Sequence, residues 1–221
     1  RAPRTPAPST TEVAGAVAHV PVRRLLAQVI AQPAGRSAVA TLVSAQLVMI
    51  LIMTMTPIHL RGGGHDLGTV GMVISAHTFG MFALSPLSGR AADRFGAPAV
   101  IVGGFGVLAA AGLLAAADPS SGRLMALPLF LLGVGWNLCF VAGSSLLASG
   151  AAYAERARVQ GGVDSTVWTA GALSSIASGV ILDLAGFRTL AIVGSVIAVV
   201  LAGAMVVGRG ALERAVEPDI P

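Results

Sequence analysis

Six apolar stretches follow one another through this chain of 221 residues, over approximately 38–60, 68–88, 98–117, 124–149, 162–182 and 189–208. Each is about as long as the ~20 residues a helix needs to cross the ~30 Å hydrocarbon core of a bilayer. Composition agrees with a lipid solvent, since 55% of the residues are apolar and only 11% are charged. A soluble domain carries roughly a quarter charged residues to cover its surface. The 28 glycines and 12 prolines would be costly in water-soluble helices but are tolerated in membrane helices, where glycine lets backbones approach closely. The sequence therefore predicts an all-α membrane protein of six transmembrane helices and excludes a soluble domain.

The flanks read differently. Residues 1–37 are expected to be a cytoplasmic linker, disordered over the Pro-, Thr- and Ala-rich residues 1–13, and residues 209–221 a cytoplasmic tail. The chain starts at Arg1 with no signal-peptide pattern, and the expectation is that sequence upstream is missing. Within the linker, Leu25, Leu26, Val29 and Ile30 beside Arg23 and Arg24 fit either an interfacial amphipathic helix or a plain linker.

Orientation follows from the arginines. With six spans, Arg1, Arg4, Arg23, Arg24, Arg36, Arg90, Arg94, Arg156, Arg158, Arg209 and Arg214 share one side, and only Arg61, Arg123 and Arg188 lie on the other. The positive-inside rule puts the richer side, and both termini of the chain, in the cytoplasm. The net charge of +4 is explained by this topology rather than by nucleic acid, because the arginines are scattered between apolar runs. The single cysteine, Cys139, cannot form an internal disulfide. The absence of lysine beside so much alanine points to a GC-rich bacterial source, and so to the inner (plasma) membrane.

Sliding the chain against itself by 90 residues aligns Ser85, Ser88, Gly89, Asp93 and Gly96 with Ser175, Ser178, Gly179, Asp183 and Gly186. On the same shift Gly71, Val73 and Ser75 meet Gly161, Val163 and Ser165, and Gly104 meets Gly194. Small residues recur by chance in such a composition, whereas the Asp93–Asp183 pairing is informative because acids are scarce. The shift maps spans two and three onto five and six. Three being odd, the two units are expected to be inverted relative to one another, an arrangement found in transporters.

Between the second and third stretches lies Gly89-Arg90-Ala91-Ala92-Asp93-Arg94-Phe95-Gly96. It resembles the G-x-x-x-D-R-x-G signature of the major facilitator superfamily, which sits in the cytoplasmic loop after the second helix and, in a weaker copy, after the eighth. Here Ala97 and Pro98 replace the two basic residues that usually follow, as suits the weaker, C-terminal copy. The resemblance covers roughly residues 38–208 and takes in Gly135-Trp136-Asn137 of the fourth stretch. It implies a half-transporter: the C-terminal six helices of a secondary transporter that moves a small molecule by alternating access. Coupling to protons and export, as in antiporters of the efflux type, are what the family suggests. By resemblance, Asp93 and Arg94 would latch against a helix of the N-terminal half, which this chain lacks; on their own, Arg90 and Arg94 also read as positive-inside anchors. Glycines at both ends of the motif permit a tight turn and close helix approach.

Ionisable groups within spans are costly and default to functional hypotheses. His77, halfway along the second stretch, suits proton coupling or a substrate contact; a neutral histidine bonded to a neighbouring carbonyl fits equally. Asp164, near the start of the fifth stretch, can accept a proton, pair with Arg158 or, the favoured reading, cap its helix. Trp136, Asn137 and Trp168 suit an amphipathic organic substrate, or packing and an interhelical hydrogen bond. Gln46 is a polar residue of the first stretch that can face the same path. Pro57 and Pro86 are expected to bend their helices. No cofactor or metal is expected, and an intramembrane enzyme is disfavoured: Gly143-Ser144-Ser145 lacks a protease context, no histidine follows His77, and H-E-x-x-H is absent. The alternative to a transporter is a non-transporting six-helix membrane protein, receptor-like or an assembly subunit. An isolated half would set cavity polar groups against lipid, so these helices alone are expected to be inactive.

Overall fold

The computed structural model describes residues 21–118, 120–150 and 152–216, without the side chains of 209–216. The linker expected at 1–13 and the end of the expected tail, 217–221, lie outside the described residues. Among the described residues every regular element is helical. These are α1 Val22–Ala31, α2 Pro33–Met53, α3 Thr56–Gly62, α4 Leu67–Phe82, α5 Ser85–Phe95, α6 Ala97–Ala117, α7 Ala126–Ser149, a 3-10 turn Tyr153–Glu155 and α8 Arg156–Val216. Among the described residues, five stretches are long and apolar enough to cross a membrane: Pro33–Gly62, Leu67–Phe95, Ala97–Ala117, Ala126–Ser149 and Tyr153–Gly208.

The last of these takes in both the fifth and sixth expected spans. Its 56 residues would measure ~84 Å as one straight helix, far more than a bilayer core. The helix is interrupted at Gly186, whose φ of 77° and ψ of 169° are not helical, so α8 consists of two arms, 156–185 and 187–216. Gly96, between α5 and α6, takes a similar conformation (φ 82°, ψ 146°). Only glycine enters this region without strain.

Two prolines set the other breaks. A proline inside a helix lacks an N–H and clashes with the carbonyl four residues back. Accordingly α2 stops at Met53, four before Pro57, and α4 stops at Phe82, four before Pro86. Each proline then stands in the first turn of the next helix, α3 or α5, where its fixed φ is favourable. Carbonyls near the breaks are bonded by side chains. Thr56 Oγ1 donates to the Ile52 carbonyl at 2.8 Å, Ser88 Oγ to that of Leu84 at 3.3 Å, and Asn137 Nδ2 to that of Met81 at 2.6 Å.

Helix α7 is central, packing against α2, α4 and α6, while α2 and α6 also pack against α8. The core holds Phe105 and Leu108 of α6, Leu129 and Leu132 of α7 and Ile52 of α2. Backbones meet where side chains vanish: a Cβ on Gly80 would strike the Phe130 carbonyl, and one on Gly133 the His77 carbonyl, so α4 and α7 touch main chain to main chain. Helix α1 is docked on the bundle rather than free, with Leu25 and Val29 buried in a cluster with Val159 and Val163 and Arg23 and Arg24 exposed. At the far end, Arg188 donates to the last carbonyls of α6, Ala116 at 2.9 Å and Ala117 at 3.2 Å, a cation placed at the negative end of a helix dipole.

The glycine contact gives a direct test. Gly133→Val forces α4 and α7 apart and is expected to cost about 1–3 kcal/mol, read as a lower thermal unfolding midpoint in detergent. Gly103→Ala, where an added Cβ meets nothing within 4 Å, is expected to leave the midpoint unchanged or slightly higher.

Candidate functional site: a cavity among four helices

Helices α2, α4, α7 and the first arm of α8 line a cavity of about 430 Å³. Its polar side chains are Gln46, His77, Thr78 and Asp164. Its aromatic side chains are Phe82, Trp136, Phe140 and Trp168, with Met49, Met53 and Met81 between them. Trp136 stacks on Phe140, ring centres 4.7 Å apart and 17° from parallel, and meets Phe82 edge-on at 6.4 Å.

Gln46 and Trp136 are joined across α2 and α7 by a hydrogen bond of 2.8 Å from the indole Nε1 to Oε1. An indole N–H only donates, which fixes the amide oxygen toward Trp136. Gln46 Nε2 is buried and has no hydrogen-bond partner. His77 is also fully buried, and its Nδ1 lies 2.9 Å from the Leu129 carbonyl. A carbonyl only accepts, so the neutral imidazole carries its proton on Nδ1 and presents Nε2 as an acceptor. Both carbonyl and cavity readings of His77 are thus compatible in one geometry.

Asp164 lies well inside α8, which begins at Arg156. Helix capping by Asp164 is therefore overturned, because the helix starts two turns earlier than the apolar stretch does. The carboxylate accepts from Gln160 Nε2 at 2.8 Å, one turn back. Trp168 borders the open side of the cavity and is 67% exposed. Asn137 does not line the cavity. It clasps the Pro86 break, donating to Ser85 Oγ at 2.8 Å and to the Met81 carbonyl, and accepting from Ser88 Oγ.

Of the sequence-predicted path residues, then, the fold gathers Gln46, His77, Trp136, Asp164 and Trp168 around one cavity and turns Asn137 away from it. Sequence reasoning missed Met49, Met53, Met81, Phe82 and Phe140. Helical spacing carried the signal, since Met49 and Met53 follow Gln46 by three and seven residues, Met81 follows His77 by four, and Phe140 follows Trp136 by four.

The Gly89–Gly96 motif is not a loop. Gly89 through Phe95 belong to α5, closed by Gly96. Arg90, Asp93 and Arg94 are exposed, and the Arg94 guanidinium lies 5.4 Å from the Phe95 ring centre. A Cβ on Gly89 would meet nothing within 4 Å, so the first glycine serves no close approach among the described residues.

Comparison with known proteins gives a consistent picture. The profile of the Major Facilitator Superfamily matches residues 37–219. The chain is 37% identical over 170 residues to the uncharacterized MFS-type transporter YdeG of Bacillus subtilis strain 168, covering 76% of this chain and 40% of that protein. It is 38% identical over 161 residues to YddS of the same organism, also named as an uncharacterized MFS-type transporter, covering 72% and 37%. Identity to the riboflavin transporter RfnT of Brucella anthropi is 28% over 167 residues, covering 76% and 42%. The matched stretch of this chain thus spans 37–42% of the length of these relatives.

Removing the Asn137 clasp is expected to destabilise the bundle. Asn137→Ala strips a hydrogen bond from the Met81 carbonyl and one each from Ser85 and Ser88, at a cost of about 1–3 kcal/mol. Thermal unfolding in detergent measures it, and Asn137→Asp, which sets a buried carboxylate oxygen against the Met81 carbonyl, is expected to lower the midpoint at least as far.

Proposed function

This chain belongs to the major facilitator superfamily, and on that premise we propose that it is the C-terminal half of a secondary active transporter carrying a small molecule through the Gln46–Trp136 cavity by alternating access. The cavity itself carries the reading. It is large enough for a small organic molecule, mostly apolar, and has a few placed polar groups. His77 and Asp164 are its titratable side chains and are assigned to proton coupling, with substrate moving outward. RfnT's name identifies a relative that carries a flat ring system, and the stacked Trp136–Phe140 pair offers such a ring a wall.

Six spans arranged as two inverted units are part of the proposal, with the two arms of α8 as the fifth and sixth. Three observations at the 90-residue spacing support it. Gly96 and Gly186 share the same left-handed turn, Ser88 and Ser178 are both buried, and Gln46 and Trp136, themselves 90 apart, bond to each other. A two-fold axis relating the units would bring exchanged positions such as these together where it passes.

A partner half is proposed on the uncovered side. Phe79 and Phe82 of α4 are 62% and 60% exposed, and Leu173 and Ile176 of α8 are 64% and 68% exposed. These faces flank the open side of the cavity, where Thr78 and Asp164 would otherwise meet lipid. Six N-terminal helices would close it, with Asp93 and Arg94 latching against them at the cytoplasmic surface of a bacterial plasma membrane. The arginine distribution puts both ends of this chain on that side.

Thr78→Cys in the full-length protein tests the reading without a known substrate. A membrane-impermeant maleimide is expected to label it from either side, with the two rates shifting reciprocally under an imposed pH gradient. Asp93→Asn is expected to shrink that shift about fivefold or more, and His77→Gln to remove its dependence on the gradient. Labelling from one side only, whatever the gradient, would favour a non-transporting membrane protein.

A further inference from the structure

Two unused hydrogen-bonding positions define what the cavity can recognise. Gln46 Nε2 is a buried donor without a partner, held there because the indole of Trp136 takes Oε1. No side chain of α8 covers it from Gly171, whose missing Cβ would come within 3.4 Å of this nitrogen. Buried polar atoms are nearly always paired, so an orphan in a cavity wall calls for a ligand acceptor. On α4, His77 has committed Nδ1 to Leu129 and offers Nε2 as an acceptor. Besides Thr78, Ile50 and Val167, the rest of the wall is aromatic rings and methionines, both of which favour contact with a flat ring. Among the described residues the one charged side chain of the lining is the Asp164 carboxylate, with no arginine, so an anion finds no counter-charge.

We infer that the molecule carried is a flat nitrogen heterocycle that bears a ring carbonyl and is not an anion. The carbonyl accepts from Gln46 Nε2, an N–H or O–H of the same molecule donates to His77 Nε2, and the ring lies along the Trp136–Phe140 stack. Gln46 is thus a specificity-determining residue. The inference rests on the transport reading above, and names the substrate class of that cavity.

Three tricyclic probes separate the possibilities: lumichrome, which is uncharged with ring carbonyls and N–H groups; 9-aminoacridine, a cation; and anthracene-9-carboxylate, an anion. Binding to the full-length protein in nanodiscs is read by quenching of tryptophan fluorescence, and flux by proteoliposomes. Lumichrome is expected to bind at least about tenfold more tightly than the anion, the scale of one hydrogen bond of about 1.4 kcal/mol. Gln46→Glu keeps an oxygen for Trp136 while replacing the amide donor, and is expected to weaken lumichrome about tenfold without weakening 9-aminoacridine, which has no carbonyl; Gln46→Leu is expected to do the same. Preference for the anion, lumichrome affinity unchanged in both variants, or no binding of lumichrome overturns the inference. Gln46-dependent lumichrome binding with no flux of any probe would uphold the class and overturn transport; flux of the anion, indifferent to Gln46, would do the reverse.

Discussion

In hydrocarbon a backbone N–H or C=O finds no water, so each must be satisfied inside the protein. Among the described residues, the two proline breaks show how that demand is met. Pro57 and Pro86 interrupt two apolar stretches, and side chains bond the carbonyls around each gap: Thr56 on Ile52, Ser88 on Leu84 and Asn137 on Met81. The breaks also fix the site, because Met53 and Phe82, the last residues of α2 and α4, both line the cavity. Asn137 therefore acts on the site without touching it, by holding the end of α4 in place from α7.

Helix α7 divides its surface among three tasks. Gly133 meets α4 and Gly135 meets α6, each so closely that a Cβ would collide with the neighbouring main chain. Trp136 and Phe140, one turn apart, stand on the side of Gly133 and line the cavity. Glycine contacts draw the helices together where no hydrophobic force between helices operates in lipid, and large aromatic rings hold them apart where a ligand is to enter. The sequence G-x-G-W-N over 133–137 thus encodes contact, cavity and clasp within a turn and a half.

How much of this was legible depended on the length scale. Apolar length located the membrane helices because it is a property of each segment alone, and Pro57 and Pro86 announced their own breaks through local sterics. Helix starts beyond the apolar core were not legible: α8 begins in the polar run at Arg156, where hydropathy gives no signal, and so Asp164 was misread as a cap. The Gly89–Gly96 motif was read as a loop for the same reason, although Arg90-Ala91-Ala92-Asp93-Arg94 contains no residue that stops a helix before Gly96. Which face of a helix looks inward is decided by its neighbours. Asn137 and Trp136 are adjacent in sequence, yet the packing of α7 sends one to the Pro86 break and the other to the cavity.

The Gln46–Trp136 bond bears on why such a site can hold a ligand in one orientation. On the proposed inverted repeat these two residues occupy the same position in the two units and meet at the axis between them. Had both been the same residue, the walls on either side of the axis would offer equivalent groups, and a ligand could bind in two orientations related by the two-fold. An amide facing an indole removes that equivalence. The indole can only donate, so the amide oxygen is committed and the amide nitrogen alone is left facing away from it. His77 deepens the asymmetry, since the position 90 residues on is Val167, which has no hydrogen-bonding group to answer it. On the proposed repeat, a fold that builds two matching walls thus breaks its own symmetry at the residues that line the space between them, and the polarity of the site follows from that break.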